Sequence, residues 1–323
     1  MRALITGCAG FIGSHLSERL LEQGAEVLGI DCFNENYGRR AKLENLREAQ
    51  QWEQFEFVPV DLSRGDLEDL VAGADVVVHL AAEPGVRPSW GRRFDAYVRN
   101  NVLATQRLLD SMIRIAPDTR LVYASSSSIY GTTAELPVAE SAKPAPHSPY
   151  GVTKLAAEHL CQAYRDNHGL PLVMLRYFTV YGPRQRPDMA FHRFCRAALD
   201  RKEIKVFGDG RQSRDFTYVG DVVSATVEAA VRDDVSGEIF NVGAGSRVTL
   251  REALALIEEF AGHPLEIDNE ETQPGDVRHT SADVGAAQER LGFAPTTSFE
   301  GGLRAEFEWL AAGERGRALS PVE

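Results

Sequence analysis

Residues 2–13 read RALITGCAGFIG, and this stretch decides the fold. Residues 2–6 form the short apolar run of a buried strand, and leucines recur at helical spacing beyond the stretch. Gly7, Gly10 and Gly13 lie between the two patterns. A strand, a glycine turn and a helix in this order let the backbone approach a pyrophosphate at the helix N-terminus. The stretch therefore predicts the first unit of a dinucleotide-binding α/β fold.

The second predicted strand ends in an acidic residue. Residues 26–30 (EVLGI) precede Asp31, which follows the glycines by about twenty residues, the spacing at which a carboxylate accepts the hydroxyls of an adenosine ribose. Cys32 and Phe33 stand next, so no arginine follows directly. Because Asp31 would repel a 2′-phosphate, we expect NAD and not NADP as the cofactor.

Further apolar runs alternate with helical patterns and extend the sheet. Strands are predicted at 55–60, 75–82, 120–124, 172–178 and 238–242, and helices at 39–50, 94–109, 150–169, 221–231, 250–261 and near 310. The run at 75–82 is nearly all apolar, as expected of a strand buried on both faces. This alternation predicts a Rossmann-type doubly wound parallel sheet with a smaller C-terminal α/β substrate domain.

The same pattern suggests where the domains divide. We expect an NAD-binding domain at 1–178 with a return segment at about 215–242, a substrate domain at 179–214 and 243–311, and a tail at 312–323.

Composition limits the classes of function. The 323 residues carry a formal net charge of −12, which argues against a nucleic-acid partner. No apolar run reaches about 18 residues and the first residues begin a strand, so we expect no membrane span, no signal peptide and a cytoplasmic protein. Four scattered cysteines show no metal-binding spacing, and no metal is predicted. The basic segment 184–214 suggests a small anionic ligand, with a solvated basic helix as the alternative.

Two motifs carry candidate chemistry. Residues 125–128 are four serines that follow the predicted strand at 120–124. Tyr150 and Lys154 are four residues apart and share one face of a predicted helix. A phenol has a pKa of about 10, and nearby positive charges make it a base by stabilising the phenolate. Each motif alone is also typical of a linker or a solvated helix, but the serine run directly follows an apolar strand that ends at the predicted ligand edge, and a surface loop at 132–149 leads to Tyr150.

The glycine turn, Asp31, the serine run and Tyr150-x-x-x-Lys154 together resemble the extended short-chain dehydrogenase/reductase family, in particular its nucleotide-sugar branch. The likeness covers nearly the whole chain, through residues 214–219 (RDFTYV) and 274–278. By this resemblance Tyr150 removes the proton from the sugar O4 while hydride passes from C4 to NAD. Lys154 lowers the pKa of the phenol and holds the nicotinamide ribose, and Ser126 relays or stabilises the O4 proton. The adjacent serines of the run remain alternatives to Ser126.

The resemblance also implies two binding sets. The expected cofactor-binding residues are Gly7, Gly10, Phe11, Ile12, Gly13, Asp31, Asn34, Asp61, Leu62, Leu80, Ala81, Ala82, Asn100, Tyr150, Lys154 and Tyr177. The expected substrate-binding residues are Arg87, Ser127, Ser128, Thr179, Arg186, Arg214 and Arg278, with the last two at the diphosphate of a UDP-sugar. A homodimer through the helices at 94–112 and 150–168 is expected on the same ground.

Two stretches resemble the UDP-glucuronate 4-epimerases of this branch. They are residues 82–87 (AEPGVR) and 179–190 (TVYGPRQRPDMA), and the UDP-glucose epimerases and the decarboxylases typically have Asn in place of Thr179. The expected function is NAD-dependent conversion of UDP-glucuronate to UDP-galacturonate through a transient 4-keto sugar. The branch's 4,6-dehydratases carry an Asp-Glu pair where Ser126 and Ser127 stand here, so dehydration is not expected.

Three alternatives stay open at this point. They are a UDP-glucose/galactose 4-epimerase, a UDP-glucuronate decarboxylase and a non-catalytic NAD-sensing scaffold. A uronate needs cations or hydrogen-bond donors at its carboxylate, which Arg186 with Ser127, Ser128 and Thr179 would provide. Its 4-keto form is a β-keto acid, so an epimerase must also hold the carboxylate against loss of CO2. Charge-assisted hydrogen bonds of roughly 1.5–3 kcal/mol each would do this.

Overall fold

The computed structural model describes residues 1–34, 37–133 and 135–318, with side chains up to residue 313. The strands are β1 (Arg2–Thr6), β2 (Glu26–Asp31), β3 (Phe55–Pro59), β4 (Val76–His79), β5 (Arg120–Ser126), β6 (Leu172–Tyr177), β7 (Thr179–Tyr181), β8 (Ile204–Phe207), β9 (Ser213–Arg214), β10 (Phe216–Tyr218), β11 (Ile239–Val242), β12 (Val248–Thr249) and β13 (Ile267–Glu270).

The helices connect these strands. They are α1 (Phe11–Glu22), α2 (Arg39–Leu46), α3 (Glu68–Val71), α4 (Phe94–Tyr97), α5 (Ala104–Ile115), α6 (Pro149–His168), α7 (Ala190–Leu199), α8 (Val219–Val231), α9 (Leu250–Ala261) and α10 (Phe299–Ala318). A π-helical segment, Val98–Leu103, joins α4 to α5, and a second covers Ala287–Leu291. Short 3-10 turns lie at Ala49–Gln51, Arg87–Ser89, Gly91–Arg93, Ser127–Ile129 and Asp233–Val235.

A seven-stranded sheet in the order β11-β6-β5-β4-β1-β2-β3 forms the centre of the molecule. Every neighbouring pair in it is parallel, and β1 lies between β4 and β2. The chain therefore starts in the middle of the sheet and winds outward in both directions, which confirms the predicted doubly wound fold. In such sheets the ligand binds where the winding direction changes, at the carboxyl ends of the central strands.

Both faces of the sheet are covered by helices, as alternate residues of β1 show. Ala3 and Ile5 are buried in one apolar cluster with α1 and α8, whereas Leu4 is buried in a second cluster with α5 and α6. Because successive side chains of a strand point to opposite faces, a strand covered on both sides must be apolar throughout. This requirement explains the uninterrupted apolar runs in the sequence.

A third apolar cluster lies outside the two faces of the sheet. It packs residues of α7, α9 and α10 around Tyr181, Phe191 and Phe216. The division into residues 1–178 with 215–242, and 179–214 with 243–311, stays a prediction. The location of this cluster supports it.

Three elements differ from the sequence pattern. The helix predicted at 94–109 is interrupted by the π-helical segment, and α10 runs to Ala318, beyond the predicted end near Leu310. β4 ends at His79, because Leu80 makes the last backbone bond to Thr6 and Ala81 N turns to the Thr6 hydroxyl instead. Residues 80–82 therefore leave the sheet and become available to line a site.

The described ranges lack two kinds of feature. None of their helices combines the length and the apolar character needed to span a membrane. Their His, Cys, Asp and Glu side chains form no group of three or more arranged to hold a metal ion.

Candidate active site

An open cleft of about 1140 Å³ lies at the carboxyl ends of the central strands. Every residue predicted to bind the cofactor lines it, from Gly7 of the glycine turn to Tyr177 at the end of β6. Tyr150, Lys154, Ser125 and Arg186 line the same cleft. The structure therefore brings the predicted dinucleotide site together with Tyr150 and Lys154 in one continuous space, whereas Ser126 is not among the residues that line it.

The glycine turn closes against the neighbouring backbone. Gly7 has a φ of +74°, and a Cβ there would lie 2.8 Å from Ala81 N. A Cβ on Gly13 would lie 2.2 Å from Gly7 O, so no larger residue fits. No side chain in the described part of the chain caps α1 at Gly10, and its first amides therefore remain available to an anion.

Acidic and basic groups meet at the end of β2. The Asp31 carboxylate accepts a hydrogen bond from Phe33 N at 2.7 Å and lies 3.7 Å from the buried Lys42 ammonium. Lys42 also donates to the Asn34 side chain, and its ammonium lies 5.2 Å from the Tyr37 ring centroid. Lys42 offsets part of the Asp31 charge where an adenosine ribose is expected. Asp31 still lines the cleft where a 2′-phosphate would lie, in keeping with NAD as the cofactor.

The π-helical segment points two consecutive asparagines inward. Asn100 lines the cleft and donates to the Glu83 carboxylate at 3.1 Å. Asn101 is buried, where it accepts from Glu83 N at 2.6 Å and donates to Glu83 O and to the Thr153 hydroxyl, each at 3.0 Å. An ideal α-helix turns successive residues by about 100°, and the wider turn lets both side chains serve the site. Asn101 thereby ties the loop after β4 to α6.

Tyr150 is a partly buried phenol with two groups that favour its ionised form. Burial raises the pKa of Tyr150 above its ordinary value, while the hydrogen bond with Ser126 and the positive charge of Arg186 lower it. Among the four serines it is Ser126 that lowers the pKa of the phenol. Ser126 also accepts from Ser128 N at 3.2 Å, which fixes the orientation of its hydroxyl.

A backbone carbonyl and an aromatic ring hold the Lys154 ammonium in this structure. Its ammonium donates to Ala124 O and lies 4.5 Å from the Tyr123 ring centroid. Burial lowers the pKa of Lys154 to about 8, although Cys161 and Glu158 act in the opposite direction. We expected Lys154 to lower the pKa of Tyr150, but here that effect comes from Ser126 and Arg186.

Arg186 supplies the positive charge at the reacting end of the cleft. Its guanidinium donates from Nε to Asp188 Oδ1 at 3.0 Å and from Nη2 to Asp188 Oδ2 at 2.9 Å. Two contacts anchor the start of the loop that carries Arg186. Pro183 O contacts His15 Nε2 at 2.9 Å, and Gly182 N donates to Glu306 at 2.8 Å.

The other predicted substrate residues lie beyond the lining of this cleft. Ser127 and Ser128 form the 3-10 turn after β5, and Thr179 begins β7. Arg87 pairs with Asp276 at 2.7 Å, and its guanidinium lies 4.2 Å from the Phe207 ring centroid.

Of the remaining two arginines, Arg214 lies in β9 at the end of the basic segment, and Arg278 lies in the loop after β13. Arg214 donates to Arg278 O at 3.0 Å, and Arg278 pairs with Asp209 at 3.2 Å. Arg87 is near enough to lower the pKa of Arg214, although burial is the larger cause. The three arginines thus form one basic group, separate from Arg186.

The residues present fit a dinucleotide. The Ser125 hydroxyl and the Tyr37 hydroxyl are buried and line the cleft, yet neither finds a hydrogen-bond partner within the described ranges. Buried polar atoms without partners cost about 1–3 kcal/mol each, which a ligand hydroxyl or phosphate would relieve. Together with the uncapped helix end and Asp31, they give the cleft the donors and acceptors that NAD requires.

Comparison with known proteins defines the class. Residues 3–243 match the model of the NAD dependent epimerase/dehydratase family. The chain belongs to this family, and the predicted membership of the extended short-chain dehydrogenases/reductases is confirmed.

Individual relatives narrow the class further. The chain is 42% identical over 313 residues to an uncharacterized UDP-glucose epimerase, YtcB, of Bacillus subtilis, covering 97% of this chain and 98% of that protein. It is 37% identical to a UDP-glucuronate 4-epimerase of Thermodesulfobacterium geofontis, covering 95% of each. The UDP-glucuronic acid 4-epimerase of Bacillus cereus, solved with UDP-glucuronic acid and NAD, superposes with a TM-score of 0.94 at 42% identity, covering 97% of this chain and 99% of that one.

Sequence reasoning missed several residues of the cleft. Lys42 and Tyr37 line it, but a lysine in a highly charged helix pattern carries no signal of burial. Two supporting residues lie outside the cleft lining. Asn101 falls within the helix predicted at 94–109, and a π-helical turn has no sequence pattern of its own. Asp188 belongs to the stretch 179–190, and its two-residue spacing from Arg186 is the only signal for it.

Proposed function

We propose that this chain is a UDP-glucuronate 4-epimerase that interconverts UDP-glucuronate and UDP-galacturonate with bound NAD. The observation that carries the proposal is the placement of Arg186, a mostly buried cation in the same cleft as Tyr150. A uronate differs from a neutral hexose by one carboxylate, and a buried guanidinium is the group that recognises it. The Bacillus cereus relative was solved with UDP-glucuronic acid and NAD.

Tyr150 serves as the acid–base group of the reaction. NAD, when bound, supplies the reversible two-electron oxidation at C4 of the sugar. Tyr150 takes the O4 proton as the 4-keto sugar forms and returns it after the sugar has presented its other face. Ser126 holds the proton between O4 and the phenol, since it already hydrogen-bonds to Tyr150. General acid–base groups of this kind contribute about 10²–10⁴-fold to the rate.

Lys154 acts on the cofactor side of the cleft. Its ammonium is held by Ala124 O and the Tyr123 ring, at the end of β5, where the nicotinamide ribose is expected. With a pKa of about 8 it is largely protonated at neutral pH and donates to ribose hydroxyls. Its charge also favours the phenolate once the ligands draw it toward Tyr150.

The carboxylate must be bound and also retained. Arg186 lies in the cleft and provides donors for it. Ser127 and Ser128 in the turn after β5, and Thr179 at the start of β7, lie beyond the lining and would add donors from its edge. These bonds keep the C5–C6 bond near the plane of the sugar ring. In that position the bond does not overlap with the π system of the C4 carbonyl, and CO2 is retained.

The basic group of Arg87, Arg214 and Arg278 binds the diphosphate of the UDP-sugar. Asp276 and Asp209 pair with two of these arginines in this structure, and a diphosphate would replace or share them. Arginine suits this role because its planar donors match phosphate oxygens in pairs.

A UDP-glucose 4-epimerase is the second candidate, favoured by the name of the Bacillus subtilis relative. The rates with UDP-glucuronate and UDP-glucose distinguish the two candidate functions. Purified protein incubated with UDP-glucuronate and no added NAD should form UDP-galacturonate, seen by product NMR. Faster turnover of UDP-glucose would favour the second candidate, and release of CO2 with a UDP-pentose would replace both by a decarboxylase.

The active form is a homodimer. Val98, Leu103 and Val152 are exposed by 40–48%, and they lie on the π-helical segment and on α6. Large apolar side chains on two neighbouring helices are typical of a helix-to-helix contact between subunits. Sedimentation at micromolar concentration should give a mass near twice 35.6 kDa.

A further inference from the structure

Asp188, two residues after Arg186, forms a side-on ion pair with the Arg186 guanidinium. Asp188 accepts from Nε and from Nη2, at 3.0 and 2.9 Å, and Pro187 stiffens the link between the two residues. The Arg186 side chain is 19% exposed and lines the cleft, whereas Asp188 is 49% exposed and is not part of the lining. The carboxylate therefore holds the guanidinium from the rim of the cleft.

This grip leaves one edge of the guanidinium available. Arginine has five N–H donors in one plane, and the side-on pair uses the Nε donor and one Nη2 donor. No hydrogen bond engages Nη1 within the part of the chain that the structure describes. The end-on edge consists of Nη1 and the second Nη2 donor. This remaining edge can bind a second carboxylate through two parallel bonds.

We propose that Asp188 is a positioning residue that fixes the plane of Arg186, and thereby selects epimerisation over loss of CO2. The inference rests on the proposed function, because only a uronate carries the carboxylate in question. A carboxylate bound by two parallel bonds takes its direction from the guanidinium plane. If that plane is free to turn, the bound carboxylate turns with it.

Turning the carboxylate exposes the intermediate to a known side reaction of β-keto acids. When the C5–C6 bond rises out of the ring plane, its electron pair passes into the C4–C5 bond as an enolate and C6 leaves as CO2. C5 then takes a proton, and the product is a UDP-4-keto-pentose. The loss of CO2 itself involves no oxidant or reductant. The two electrons removed from C4 return to the sugar if a UDP-pentose is released, and they stay with the bound cofactor if the UDP-4-keto-pentose is released. The orientation of the Arg186 guanidinium therefore decides whether the 4-keto intermediate is epimerised or loses CO2.

Asp188 has a second effect, of opposite sign, on substrate binding. Its negative charge offsets part of the Arg186 charge, so its removal strengthens the attraction of Arg186 for an anion. A residue that merely held the loop together would weaken binding when removed. The proposal instead expects a KM for UDP-glucuronate that does not rise while the product changes.

The test compares Asp188→Ala and Asp188→Asn with wild type. UDP-galacturonate, UDP-4-keto-pentose and CO2 are quantified from the same incubation with UDP-glucuronate, and KM is measured in parallel. We expect the ratio of CO2 to UDP-galacturonate to rise by at least about tenfold in Asp188→Ala, equivalent to about 1.4 kcal/mol. Asp188→Asn keeps the size and one acceptor and should show a smaller rise. KM should stay within about twofold of wild type or fall.

The chain offers a matched control. Arg232 donates to Asp234 from Nε at 3.2 Å and from Nη2 at 3.4 Å, which is the same side-on pair with the same two-residue spacing. This pair lies on the surface and outside the cleft. Asp234→Asn should leave both the product ratio and KM unchanged.

Several outcomes would overturn the proposal. An unchanged product ratio in both folded Asp188 variants would refute it, and so would a raised KM with an unchanged ratio. If Asp188→Ala does not fold, Asp188→Asn alone decides, since it preserves volume and one hydrogen bond. A wild-type protein that does not epimerise UDP-glucuronate would instead refute the proposed function, so the two failures are distinguishable.

Discussion

A buried glutamate beneath the loop of Arg186 makes the stability of this protein depend on pH. Glu306 on α10 is fully buried and accepts from Gly182 N through Oε2 at 2.8 Å. Its other oxygen, Oε1, has no partner among the described residues. Burial raises the pKa of Glu306 to about 8, and the hydrogen bond from Gly182 N only partly opposes this effect. Replacing Glu306 by Gln keeps the shape and the acceptor but removes the ionisation.

Proton linkage gives the sign and the size of the change in the free energy of unfolding with pH. In the unfolded chain the carboxyl has its ordinary pKa of 4.5, so between pH 4.5 and about 8 the folded state binds more protons than the unfolded state. The stability contributed by protonated Glu306 is therefore complete below pH 4.5 and is lost as the pH rises through 8. Each pH unit in this window costs up to about 1.4 kcal/mol, and about 3 kcal/mol is lost by pH 7.

Urea unfolding at pH 5, 7 and 8.5 measures this effect. We expect the free energy of unfolding of Glu306→Gln to exceed that of wild type by less than about 1 kcal/mol at pH 5 and by about 3 kcal/mol at pH 7. The difference should grow further at pH 8.5. Glu308→Gln, an exposed position on the same helix, is the matched control and should follow wild type throughout.

A difference between Glu306→Gln and wild type that stays constant from pH 5 to 8.5 would refute this reasoning. A variant that is less stable than wild type at pH 7 would do so as well, because it would show that the charged carboxylate is the stabilising form.

Three further predictions concern the site itself. Tyr150→Phe should bind NAD and UDP-sugar but lose about 10²–10⁴-fold in kcat, and near wild-type turnover would contradict its role as the acid–base group. Ser126→Ala should lower kcat by at least about tenfold, whereas Ser125→Ala should lower the NAD content of the purified protein. The opposite result would show that Ser125, and not Ser126, is the catalytic serine. Gly13→Ala places a Cβ 2.2 Å from Gly7 O, so purified protein should carry less NAD by absorbance, and full occupancy would contradict the close-packing argument.

The parts of the fold that sequence predicts well are those set by local rules. The glycine turn and Asp31 were identified because their chemistry depends on short spacings along one strand–turn–helix unit. The doubly wound parallel sheet is predictable from the alternation of strands and helices along the chain. Arg186 was singled out through a motif, and the structure places it beside Tyr150.

The parts that sequence did not predict are contacts between distant segments. Asp31 and Lys42 belong to different elements, and the burial of Lys42 depends on how α2 packs on the sheet. The orientation of Lys154 toward Ala124 O is a contact between α6 and β5 that no spacing reveals. The π-helical turn that points Asn100 and Asn101 inward needs one extra residue in a helix, and the hydrophobic pattern does not register it.

The placement of Arg186 joins two properties that sequence treats as separate. Its charge lowers the pKa of Tyr150, and its free edge is the proposed seat of the uronate carboxylate. A bound carboxylate would offset part of that charge and raise the pKa of the phenol, which lowers the fraction present as phenolate and strengthens the base that remains. In the proposed function, carboxylate binding and the acid–base step are therefore coupled through one guanidinium. Asp188 acts on both through its pair with Arg186.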